Sequence, residues 1–259
     1  MNNTFNLKRF MLLFKKHSIE HFKTYLLSIA VLLGLLFICL GFGSYTSHGH
    51  LNMNNQSTVF AGFMLIGGSI FTSLAFLEMG DKKKAIPALT LPASHFEKYL
   101  VSWLYTFVLF QAIFLGAFYL VDAIIIYLGA PPVEERDKII NVFTDRTKVD
   151  TVFYVFALLH GFSLWGAIFF EKLHFIKTSV VFFACLLLLV LFNSQLLKLL
   201  VGKDSQGSVP FQGVSLVSNN HFWMIQPHPG LTQYGWSVLY IVVLLLWTSA
   251  YFRLKEKEV

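Results

Sequence analysis

The sequence predicts an all-α polytopic membrane protein: six spanning helices behind an N-terminal amphipathic interfacial helix. Three observations predict it. Apolar residues make up 56% of the 259 positions and charged residues 13%, against about 45–50% and about 25% in ordinary soluble domains. Six apolar runs each approach or exceed the roughly 20 residues that a helix needs to cross a bilayer. Lys and Arg gather on one side of those runs. The mean hydropathy is +0.63 and aromatics reach 17%, an excess expected where lipid is the solvent for much of the surface. Residues 1–259 are expected to form a single transmembrane domain.

Asn2–His21 has Leu7, Phe10, Met11 and Phe14 on one helical face and Lys8, Arg9, Lys15 and Lys16 grouped on another. Such a basic amphipathic segment is expected to lie in the headgroup layer. It is not expected to be a cleavable signal, because Lys15, Lys16 and Lys23 precede a full-length span. The first span is placed at 22–43. Ser44–Ser57 follows as a short uncharged loop, whose His48 and His50 lack the carboxylate or thiol neighbours that a metal site needs. The second span is placed at 58–77, with Gly62, Gly67, Gly68 and Ser69 permitting close helix contact.

Between spans two and three lies a polar link, EMGDKKKAIPALTLPASHFEK, from Glu78 to Lys98. Its backbone groups would go unsatisfied in hydrocarbon, so it must protrude into water. Pro87 and Pro92 keep Ile86 and Leu91 out of the helical region. Ser94 and Glu97 form the S-x-x-E of a capping box, which starts a third helix at His95. That helix is placed at 95–128 and carries Gln111 and Asp122. Ionisable and polar groups at membrane depth mark possible sites, although Asp122 lies only about 9 Å from the helix end at 1.5 Å per residue and is expected to reach the interface.

Gly129–Asp150 is a mixed-charge loop. Val133, Ile139, Ile140 and Phe143 recur there at roughly helical spacing, and a short helix on the membrane surface is expected. The fourth span is placed at 151–170, with His160 mid-way and hydrogen-bonded inside the bundle. The fifth is placed at 178–200 and the last at 234–252. The link Val201–Gln233 is punctuated by Gly, Ser, Pro and Asn, yet it holds Phe211, Phe222, Trp223 and Met224. It is expected to fold against the membrane surface or dip into the bundle, with Trp223 touching lipid or protein.

Six spans put both ends of the chain on one side. That side holds Lys8, Arg9, Lys15, Lys16, Lys23, Lys82, Lys83, Lys84, Lys98, Lys172, Lys177, Arg253, Lys255 and Lys257; the other holds Arg136, Lys138, Arg146, Lys148, Lys198 and Lys203. The positive-inside rule makes the richer side cytoplasmic. Cys39 and Cys185 sit in apolar runs and suggest neither a disulfide framework nor a zinc site. No P-loop, H-E-x-x-H or G-x-S-x-G motif occurs, so neither enzyme activity nor a cofactor or metal is expected. No basic–aromatic module for nucleic acid is present.

This organisation resembles the permease subunit of type-2 ABC exporters. The matching features are the basic amphipathic Asn2–His21, the six spans with cytoplasmic ends, and the proline-marked link. Phe76-Leu77-Glu78, the lysines and then Leu89-Thr90-Leu91-Pro92-Ala93-Ser94-His95-Phe96-Glu97-Lys98 are similar to the L-x-L-P-A-S-x-x-E-K stretch of small six-span permease-like proteins of Bacteroidetes-type bacteria. The resemblance implies an inner-membrane location, a lipid-embedded dimer with a second permease chain, and a separate ATPase subunit. It implies that Glu78, Gly80, Asp81, Lys83, Ala88, Leu89 and Leu91 make the ATPase-coupling contact, and that Val201–Gln233 re-enters the membrane. A non-transport membrane protein of the same architecture, such as an immunity, sensor or assembly-scaffold subunit, is the alternative.

The charge asymmetry generates a labelling prediction. A cysteine at Lys83 should resist an impermeant thiol reagent in intact cells, and one at Lys138 should react; the opposite pattern reverses the orientation.

Overall fold

A computed structural model describes residues 5–80, 93–129, 137–143, 150–170, 173–201, 205–206, 213–218, 221–226 and 228–256. The protein is essentially all-α, and among the described residues six helices are long and apolar enough to cross a membrane. Helix α1 (Leu7–Thr46) leads into α2 (Met53–Gly62), a π-helical turn (Phe63–Gly67) and α3 (Gly68–Gly80), which together make one rod. A second rod is α4 (His95–Trp103), a π-helical turn (Leu104–Leu109) and α5 (Phe110–Leu128). Helices α6 (Asp150–Phe169), α7 (His174–Val201) and α8 (Pro229–Glu256) complete the bundle.

The sequence divides the amphipathic segment from the first span, but the structure does not. Both belong to α1, 40 residues or about 60 Å long at 1.5 Å per residue. Asn6 caps it, accepting from the amides of Lys8 (3.0 Å) and Arg9 (3.4 Å). The expected apolar face is split. Phe10 is buried, with Leu13 and Phe14 packed beside it against Val101 and Tyr105, while Leu7, Met11, Leu12 and Ile19 stay exposed among the lysines. The segment therefore has protein on one flank and an amphipathic surface on the other.

Helix α1 and the second rod run parallel. Going up the pair, Arg9 meets Glu97, Tyr25 stacks on Tyr105, and Gly41 faces Ile125. The main core lies above, where Leu36, Leu40, Phe60, Met64, Phe114, Phe118 and Phe156 are buried together from four spans. A second cluster joins the rod's foot to α6 and α8 through Tyr99, Leu164, Ile168, Ala250 and Leu254. Helix α6 is the central post, packing on α3, α7 and α8.

Two expectations are corrected. Of the 129–150 loop, the described Asp137–Phe143 is not helical; Ile140 and Val142 are buried in the main core while Ile139 and Phe143 face out. Alternation, not a 3.6 period, places those side chains. The fit is fixed by Gln56, fully buried, which donates to Leu51 O (2.8 Å) and Lys138 O (3.1 Å) and accepts from Ile140 N (2.8 Å). Asp137 accepts from Leu51 N at 2.7 Å and lies 3.3 Å from His50 Nδ1, so His50 serves this loop contact. Val133 lies outside the described residues.

In the Val201–Gln233 link, the described residues form an antiparallel sheet instead of a re-entrant segment. Its strands are β1 (Ser205–Gln206), β2 (Val214–Ser218) and β3 (His221–Ile225), in the order β1-β2-β3. Ser218 pairs with His221, Val217 with Phe222 and Leu216 with Trp223. Trp223 is 62% exposed, so its ring is not buried in the bundle. Phe211 lies outside the described residues.

Close packing makes a direct prediction. A Cβ on Gly68 would overlap the Phe156 ring and stand 2.8 Å from Phe110 Cε1, and one on Gly166 would overlap Thr178, whereas one on Gly116 meets nothing within 4 Å. Gly68→Ala and Gly166→Ala should each destabilise by about 1–3 kcal/mol. Gly116→Ala should be neutral or stabilising by up to about 1 kcal/mol from helix propensity. Thermal unfolding in detergent reads all three.

Candidate functional site

The foot of the second rod is where the structure concentrates its polar chemistry. Ser94 caps α4: Glu97 N donates to Ser94 Oγ at 3.2 Å, and Ser94 N donates to Glu97 Oε2 at 3.0 Å. This reciprocal box satisfies two of the amides that a helix start leaves open. It also turns the Glu97 carboxylate toward α1. Arg9 grips it with both prongs, Nε to Oε2 and Nη2 to Oε1, each 2.7 Å. Asn6 N adds a third contact to Oε1 at 2.8 Å. The Glu97 side chain has no exposed surface, while that of Arg9 keeps 30%. A buried carboxylate keeps its charge only when its lone pairs are filled; here four donors fill them.

Two residues after Glu97, Tyr99 OH donates to Trp247 O at 2.9 Å, tying α4 to α8. Ser18 Oγ is hydrogen-bonded to Tyr105 OH, a second tie to α1. Thr106, inside the π-turn, is 2.9 Å from His160 Nε2 on α6. Trp247 Nε1 is 3.1 Å from His160 Nδ1. Indole nitrogen only donates, so Nδ1 accepts and the ring proton sits on Nε2. His160 then donates to Thr106 Oγ1, whose own proton goes to Ser102 O at 2.9 Å. Trp247, His160, Thr106 and Ser102 thus form one directional chain across α8, α6 and the second rod. The π-turn places Thr106 for it, and such turns recur at functional sites.

Of the expected site residues, Ser94, Glu97 and His160 belong to this polar foot, and Gln111 and Asp122 do not. Gln111 is half-buried and outside this network. Asp122 does not reach water: it is fully buried, and neither carboxylate oxygen has a hydrogen-bond partner among the described residues. It stands 16 residues beyond Thr106, about 24 Å along the rod. Glu78 and Gly80 fall at the end of α3. Asp81, Lys83, Ala88, Leu89 and Leu91 lie outside the described residues. No group of three or more His, Cys, Asp or Glu poised for a metal occurs among the described residues.

Sequence reasoning missed the Arg9–Glu97 pair, because no local period links positions 88 apart. One signal was present: Arg9 is the sole arginine among five N-terminal basic residues, Lys8, Arg9, Lys15, Lys16 and Lys23. A guanidinium is the fork that a carboxylate takes bidentately.

Comparison of the chain with family models, with curated proteins and with solved structures finds no match in any of the three.

Removing one partner of the clamp should cost more than removing both. Arg9→Met leaves Glu97 buried without its counter-charge and should destabilise by about 3 kcal/mol, the low end for broken buried pairs, since Arg9 is part-exposed. Arg9→Met with Glu97→Gln should recover at least about 1 kcal/mol of that. Unfolding of purified protein in mixed micelles measures the cycle.

Proposed function

We propose that the chain is the membrane-spanning permease subunit of an ABC-type exporter in a bacterial inner membrane. It works beside a second permease chain, with both termini cytoplasmic, and a separate ATPase drives it through the Glu78–Lys98 link. One observation carries this reading. The first helix after the link is tied by polar contacts, within its first four turns, to α1, α6 and α8. A force delivered to the link would therefore reach three other helices before it met the apolar upper core. The remainder of the rod packs through rings and aliphatic chains, with Phe114, Ala117, Phe118 and Val121 buried. The chain itself has no P-loop, so the nucleotide chemistry must come from a partner.

The link supplies the docking chemistry. Ala88, Leu89 and Leu91 form an apolar centre, and Asp81 to Lys84 a charged rim. Binding energy concentrates in such centres, while rim charges govern mostly association rate. Leu89→Asp would bury an unpaired charge in the contact and should release the partner; Lys83→Ala should cause only a mild, salt-dependent loss.

The test is affinity purification from native membranes in mild detergent. The expected result is a co-purifying P-loop polypeptide with ATPase activity, at least tenfold lower in Leu89→Asp and within twofold in Lys83→Ala. Wild-type protein that brings down no P-loop polypeptide would make the chain a non-transport membrane protein. A partner retained in full by Leu89→Asp would place the docking surface elsewhere.

A further inference from the structure

Two carboxylates are fully buried on the second rod, Glu97 and Asp122, and the fold treats them oppositely. Glu97 receives four donors, two of them from one guanidinium. Asp122, higher on the rod, receives none from the described residues at either oxygen. The residues beside it on α5 are Phe118, Val121, Ile125 and Ile126, all buried in the main core. Among the described side chains, the titratable groups of the surrounding elements are turned away or engaged. Tyr45, His48, His50, Tyr127 and Lys138 are exposed. Asp137 holds Leu51 N, Tyr119 OH accepts from Val142 N, and Cys39 lines a crevice between α1 and α2. Tyr154 of α6 packs on Trp236 and Tyr240.

An ionised Asp122 would have neither counter-charge nor hydrogen bond there, and its cost would exceed the net stability of most folded domains. A water molecule or a metal cation could answer it only by touching the side chain, and at 0% exposure nothing of water size does. The proton is the ligand that needs no room. A neutral acid packs much as Asn or Leu would; what it adds to either is a proton that can leave. The way out is short. Asp122 stands six residues from Leu128, about 9 Å along the helix. One turn toward that end, Ile125 meets Gly41 of α1 in ordinary contact, 3.9 Å from the glycine's ideal Cβ. Packing closes the route, and ionisable groups at membrane depth mark the paths of protons and ions.

We propose that Asp122 is a proton-binding site: it is the neutral carboxylic acid while the bundle is closed, and it loses its proton when the helices around it part. The O–H bond then breaks, the proton passes to the water that enters, and a carboxylate stays behind. Neither the link, the clamp nor a partner chain enters here, so the outcome is the same whether or not an ATPase is found.

The test is infrared spectroscopy of the full chain in liposomes at pH 7, with the aspartate carboxyls labelled with carbon-13. An aspartate in water is ionised at that pH, so a labelled acid C=O band marks a shielded carboxyl. One such band is expected, and Asp122→Asn or Asp122→Leu should abolish it. On transfer to D2O its downward shift should lag at least tenfold behind exchange of the exposed amides, and it should be complete overnight. No labelled acid band, or one that survives either substitution, overturns the site. A shift as fast as the exposed amides overturns the closed state, and a band that never shifts overturns the release.

Discussion

Two helices that lie parallel and touch through methyl groups and rings can slip past each other by a turn and still bury similar surface. Arg9 and Glu97 remove that freedom. The guanidinium reaches the carboxylate only at one height, and every other register leaves a carboxylate buried without its counter-charge. The penalty for that error is several kcal/mol, large against the small net differences that separate packed alternatives. Above the clamp, the stacking of Tyr25 on Tyr105 and the approach of Gly41 to Ile125 follow from the same register. The ion pair contributes little net stability by itself; it selects one arrangement of an otherwise permissive interface. The capping box matters for the same reason, since it orients the carboxylate before Arg9 arrives.

The two ends of the bundle are fastened differently. At the foot, charge and directional hydrogen bonds join four helices through Glu97, Tyr99, Thr106 and His160. At the other end, Gln56 stitches two loops with neutral contacts to backbone groups. Between them the second rod runs through an apolar core, and Asp122 is buried on it with no hydrogen-bond partner among the described residues. Within the proposed reading, the foot receives motion and the Gln56 end resists it.

The spans were legible in the sequence because hydrocarbon thickness fixes their length, and the α4 start was legible because a capping box is a local pattern. Long-range polar pairs were not. Nothing in the spacing of Thr106, His160 and Trp247 announces a shared network, and the π-turns that help align them leave no composition signal beyond the glycines around Phe63–Gly67. The strands of the outer link are harder to read from its sequence, for a more specific reason. Phe222 and Trp223 suit a strand as well as a membrane surface, so aromatic content alone does not separate the two, while Val214 and Val217 carry the β-branched signal of a strand. Asp122 stands six residues from the end of its helix, yet its neighbours bury it completely, so nearness to a helix end is not nearness to water.

The clamp also has a consequence in time. Arg9 is separated from Glu97 by 88 positions, and Gln56 from Ile140 by 84. A ribosome adding about 5–20 residues per second finishes Glu97 roughly 4 to 18 s after Arg9. Through that interval the amphipathic start of α1 has no carboxylate to hold and must shelter at the bilayer surface or with a chaperone. Gln56 waits as long for the loop that fills its amide. The first two spans are thus made with both fasteners open: the clamp can shut when the start of the third span emerges, and the Gln56 contact only after the chain beyond that span has been made.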